Sequence, residues 1–87
     1  MNEEYLNVYI VKKENVPKTY ECYIPINTTQ TLVKEFHGNS FQDVVQNHAF
    51  KEVTEIFRNK NEEFKVKFEF FKNKSFLTEH KISNRKF

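Results

Sequence analysis

The chain has 87 residues, 38% hydrophobic and 16% aromatic, with ten Phe and four Tyr against a single Gly. That is room for one small domain over 1–87, which excludes a catalytic domain beside a separate binding domain, and the periodic apolar residues exclude a disordered chain. The net charge of +2 divides unevenly: residues 1–57 carry five Lys and eight acidic residues, −3, whereas residues 58–87 carry nine Lys or Arg and four Glu, +5, so the basic end bears on partners more than the total does.

From Tyr5 to Lys12, Leu6, Val8 and Ile10 alternate with Tyr5, Asn7, Tyr9 and Val11, the period of a strand. The polar segment 13–18 contains Pro17, which has no N–H for a ladder, and predicts a turn. Tyr20, Cys22, Ile24 and Ile26 alternate next, completing a hairpin with Pro25 near the strand end or on an edge. Residues 28–37 read two ways. Thr28 caps a short helix closed by Gly38 at a left-handed position, or Leu32, Lys34 and Phe36 alternate as a third strand. Thr, Val and Phe in the segment favour the strand.

Residues 40–59 predict a helix. Ser40 is a good N-cap, Asp43 places negative charge in the first turn, and Phe41, Val44, Val45, His48, Ala49, Val53, Ile56 and Phe57 form one apolar stripe. Asn59-Lys60-Asn61 ends it. Strict alternation returns in Phe64-Lys65-Val66-Lys67-Phe68-Glu69-Phe70, with Phe71 placing an aromatic ring on the charged side. An Asn73-Lys74 turn and a strand over 76–82 complete a second hairpin, followed by a basic tail over 83–87. The predicted fold is α+β: an antiparallel sheet of four to five strands, β-β-(β)-α-β-β, with one long amphipathic helix on one face.

No stretch carries the spacing of a catalytic or metal motif. Cys22 is alone, so no intrachain disulfide forms, and its phase with Tyr20 and Ile24 places it in the core rather than in a Cys–His pair. His48 with Glu52 supplies at most half a metal site, Glu3-Glu4 and Glu62-Glu63 read as solubilising charge, and a single Gly leaves no phosphate loop. The expectation is a non-enzymatic protein without catalytic residues, cofactor or metal. No apolar run approaches the roughly 18–20 residues of a membrane span or a signal-peptide core, so a soluble cytoplasmic protein without a membrane partner is expected.

The alternation also places Tyr5, Tyr9, Tyr23, Phe71 and Leu77 on the sheet face opposite the core, beside Lys65, Lys67 and Lys81. Aromatic rings with mixed charge suit a protein interface, with Tyr5, Tyr9, Tyr23 and Phe71 as the candidate contacts. The alternative is nucleic acid held by Lys65, Lys67, Lys72, Lys74 and Lys81 with rings stacking on bases. The acidic first hairpin weighs against that alternative. A homodimer covering the face is a third possibility. In size, Lys-, Asn- and Phe-rich composition and lack of catalytic motifs, the chain resembles small phage or mobile-element accessory proteins. Many of those are inhibitors that bind and block a host enzyme, as anti-CRISPR proteins block defence nucleases. The resemblance implies a host protein as partner, the host cytoplasm as location, and occlusion rather than chemistry as mechanism.

Overall fold

Three strands form a meander at the start of the computed structural model, which describes residues 5–57 and 64–84. They are β1 (Leu6–Lys12), β2 (Thr19–Pro25) and β3 (Thr31–His37), each antiparallel to the next, with Tyr9 opposite Tyr23 and Tyr23 opposite Val33. The β1–β2 turn holds Asn15 and Lys18 at positive φ, 65° and 56°, and Lys13 N–H donates to Thr19 O at 3.0 Å. Asn27 organises the next turn by accepting from the Thr29 and Gln30 N–H groups, both at 2.9 Å, as Asn does when its side chain mimics a backbone turn. Residues 31–37 are therefore the strand and not the helix. Gly38 is not at positive φ. What the position requires is space: an added Cβ would stand 2.8 Å from Val44 Cγ2.

One helix, α1, follows in three segments: an α turn Phe41–Val44, a π turn Val45–Ala49 and an α stretch Phe50–Phe57. Ser40 Oγ accepts from Asp43 N–H at 3.1 Å, and Asp43 Oδ2 accepts from Asn39 N–H at 2.9 Å, a reciprocal cap on the first turn. The Asn39 amide, then Asn47, holds the Asp43 carboxyl below its usual pKa. The continuous α-helix expected here is interrupted because Phe50 N–H reaches back five residues to Val45 O, the hydrogen bond of a π turn. Its wider turn keeps Val44, Val45, Ala49 and Val53 all buried against the sheet. The expected end at Asn59 lies outside the described residues.

After α1 come β4 (Phe64–Lys72) and β5 (Ser75–Asn84), antiparallel to each other. The basic tail expected over 83–87 thus begins inside β5. Their turn places Asn73 and Lys74 at φ 55° and 66°, the two positive values that a type I′ hairpin turn needs. The sheet order is β3-β2-β1-β4-β5, and β4 runs parallel to β1 with Val8 opposite Phe68. The sheet is therefore mixed, where a wholly antiparallel one was expected. The reason is the helix. In a meander β3 points the same way as β1, and a helical crossover returns the chain to its starting end, so β4 must run with both.

The fold is α+β, a single sheet with one helix across one face. Val8, Ile10, Cys22, Ile24, Val66 and Phe68 from the sheet meet Phe41, Val44, Val45, Ala49 and Val53 from the helix, all buried. Phe70 closes one end, stacked on Phe41 at 4.8 Å and tilted against Tyr20 at 5.9 Å. At β3, Lys34 pairs with Glu52 at 3.0 Å and Phe36 stacks on His48 at 5.3 Å, tying the helix to the edge strand.

Candidate functional site: the open sheet face

Because α1 covers one face, alternation along each strand delivers the remaining side chains to the other. Val8 and Ile10 are wholly buried while Tyr9 between them is 40% exposed. The register aligns Val33, Tyr23 and Tyr9 across β3, β2 and β1. The band continues by a ring contact, as Tyr9 meets Phe71 edge-on at 5.7 Å, and Phe71 meets Phe76 edge-on at 5.8 Å. One apolar band thus crosses all five strands. Val33 and Phe76 at its ends are 48% and 50% exposed.

Charge is sorted around this band. Towards the β1–β2 turn, Glu21 lies opposite Glu35; Lys13 binds Glu35 at 2.9 Å, and Glu21 accepts from the Tyr23 hydroxyl at 3.3 Å. The Lys13 hydrogen bond, reinforced by its charge, lowers the pKa of Glu35, and partial burial followed by the Glu21 charge raises that of Tyr23. On the other hairpin Glu69 lies opposite Glu79 and Lys67 opposite Lys81. Lys65 and Lys81 both reach over the Tyr5 ring, at 5.9 and 5.3 Å, a cation–π arrangement.

Of the candidate protein contacts, Tyr9, Tyr23 and Phe71 come together in the band, and Tyr5 stands apart under its two lysines. Leu77 does not take the place expected for it. A β-bulge between Phe70 and Phe71 pairs Phe70 with Thr78 and Phe71 with Phe76, which leaves Leu77 as the extra residue and brings Phe76 into the band. Strict alternation missed Phe76 because a bulge shifts phase by one residue, and no Gly or Pro marks it in the sequence. The candidate nucleic-acid lysines divide. Lys65, Lys67 and Lys81 gather near Tyr5, whereas Lys72 and Lys74 sit at the turn end of the hairpin. The Glu69–Glu79 pair lies between the two groups.

Cys22 is fully buried, and burial pushes its thiol up to about 12, so at neutral pH it is protonated and packs as a small apolar side chain. His48 lies on Phe36 and Glu52 is held by Lys34. Among the described residues no group of three or more His, Cys, Asp or Glu side chains is placed to hold a metal. No helix there is long and apolar enough to cross a membrane. One polar atom stands out on the open face: Asn7 Oδ1 is buried with no hydrogen-bond partner. No protein-family model, curated protein or solved structure matches the chain.

Proposed function

We propose that this chain is a non-enzymatic binding protein whose open sheet face docks on a partner protein and occludes the surface it covers. The supporting observation is the band Val33–Tyr23–Tyr9–Phe71–Phe76, which runs across the face away from the helix with its ends half exposed. Tyr and Phe in contact with one another, rimmed by charges of both signs, have the composition of an interface centre and its rim. Tyr9, Phe71 and Phe76 are already packed edge to edge, so little of their side-chain freedom remains to be lost on docking. The complementary partner surface is apolar at its centre, basic where it meets Glu21 and Glu35, and acidic where it meets Lys65, Lys67 and Lys81. A host enzyme blocked in this way, as by the phage and mobile-element inhibitors the composition resembles, fits this mechanism.

Nucleic acid is the weaker alternative, because Glu69 and Glu79 interrupt the lysine track that a phosphate backbone would follow. Site-specific photo-crosslinking decides between them. A photoreactive residue at Tyr9 or Phe76 should capture one protein in its native host, and the same group at exposed Lys51 on the helix should not. Equal capture at all three positions would refute the docking face. Salt-sensitive binding of labelled DNA or RNA that Lys65→Glu/Lys67→Glu abolishes would install nucleic acid as the ligand.

A further inference from the structure

The charges on β5 are arranged against β4, the one strand beside it among the described residues. Reading across the ladder, Glu79 faces Glu69 and Lys81 faces Lys67, and like charges directly opposite on one face are destabilising. The corresponding pair on the other hairpin, Glu21 and Glu35, has Lys13 bound to Glu35 at 2.9 Å. On β5 the relief is partial: Lys81 meets Glu79 of its own strand at 3.6 Å and reaches over the Tyr5 ring at 5.3 Å. At the same time β5 is the longest strand, ten residues, and ends the sheet order, so among the described residues nothing pairs with its outer side. A long edge carries a row of backbone donors and acceptors suited to another strand. It contains no Pro to prevent pairing, and the bulge at Leu77 lies on the turn side of Glu79, outside the central run from Thr78 to Ile82.

We propose that β5 pairs antiparallel with β5 of a second copy about a two-fold axis at His80, joining two sheets into one of ten strands. The register follows from symmetry and charge. An antiparallel two-fold pair keeps the core faces together only when a residue meets its own copy on the axis. An axis at Glu79 would set Glu79 against the partner's Glu79, and an axis at Lys81 would set Lys81 against the partner's Lys81. The axis at His80 alone sets Glu79 against the partner's Lys81 and Lys81 against the partner's Glu79. Each charge then gains an opposite neighbour on its outer side to offset the like neighbour on β4. On the helix side the same register brings Thr78 beside the partner's Ile82. The two open faces become one continuous surface, with both helices on its back.

The test is the association constant of four forms of the chain by sedimentation equilibrium up to the hundreds of micromolar: wild type, Glu79→Lys, Lys81→Glu, and the double exchange. Each single reversal turns two attractive cross-strand pairs into two repulsive ones, so the dimer dissociation constant should rise on the order of tenfold or more. The double exchange restores opposite charges across the axis and should return it towards the wild-type value. Misfolding is separable from lost pairing. In an isolated protomer each single reversal places opposite charges across β4 and β5, so its thermal stability at low concentration should not fall. A wild type that is monomeric throughout, a dimer indifferent to the single reversals, or a double exchange that fails to restore it would each overturn the proposal.

Discussion

Gly38→Ala probes the joint between sheet and helix. Gly38 follows β3, donates its N–H to Lys18 O at 2.9 Å, and lies against the first turn of α1. An added Cβ would stand 2.8 Å from Val44 Cγ2 and 2.9 Å from Asp43 Oδ2. Carbon atoms rest about 3.5–4.0 Å apart, so the helix turn and the loop must separate by roughly 0.7 Å. Neither side yields easily. Val44 is fully buried, and the Asp43 carboxylate is engaged by Asn39 N–H at 2.9 Å. Overpacking of this kind costs about 1–3 kcal/mol. Gly38 is not at positive φ, so the alanine recovers about 0.4–1 kcal/mol by restricting the unfolded chain. The expected net loss is about 1–2 kcal/mol, and each kcal/mol lowers the Tm of a domain this size by about 4–8 °C. Urea unfolding followed by far-UV circular dichroism measures it. Adding Val44→Ala, which removes the obstructing methyl, should make the double variant less destabilised than the two single losses together, by about 1 kcal/mol. A Gly38→Ala protein as stable as wild type would refute the close approach.

Lys74→Gly should act in the opposite direction. Lys74 sits at φ 66°, which costs an L-residue about 1–2 kcal/mol and glycine nothing; after glycine's greater unfolded-state freedom, a gain of about 0.5–1 kcal/mol remains, read from the same urea titration. Cys22, buried and with its thiol pushed up to about 12, should react with a disulfide reagent at pH 8 only at the rate of unfolding, and denaturant should release full reactivity. The lowered pKa values of Asp43 and Glu35 mean that the stability these carboxylates contribute is complete above their unfolded values, near pH 4. It is lost as pH falls through their lower native values. Asp43→Asn should therefore flatten the acid limb of a stability-against-pH curve, and an unchanged limb would deny the cap that role.

What the sequence displayed was local periodicity. Val8 and Ile10, Cys22 and Ile24, Val66 and Phe68 announced their burial by alternation, and Ser40 with Asp43 announced the helix start. Thr31–His37 was legible as a strand from its β-branched and aromatic residues, although a capped helix competed. What depends on pairing between distant segments was not legible. The parallel β1–β4 ladder follows from the direction in which the helix returns the chain, and the π turn, made by the Phe50 N–H to Val45 O bond, has no Gly or Pro to mark it in the sequence. Phe76 entered the aromatic band through a bulge without a sequence mark. The like-charge pairs on β4 and β5 become visible only once Glu69 is aligned with Glu79 and Lys67 with Lys81. Tyr9 and Tyr23 share one face as their alternating runs require, and Phe71 joins them because β4 keeps the strand period although its residue type breaks the apolar–charged pattern.

The claim that the open face is the working surface is tested most directly by the affinity of the partner captured at Tyr9 for Tyr9→Ala, Phe71→Ala and Lys51→Ala, each verified as folded. The two ring truncations should lose about 2 kcal/mol or more, the scale of interface hot spots, and Lys51→Ala should keep wild-type affinity. Ring truncations that bind as tightly as wild type, or a loss confined to Lys51→Ala, would contradict it.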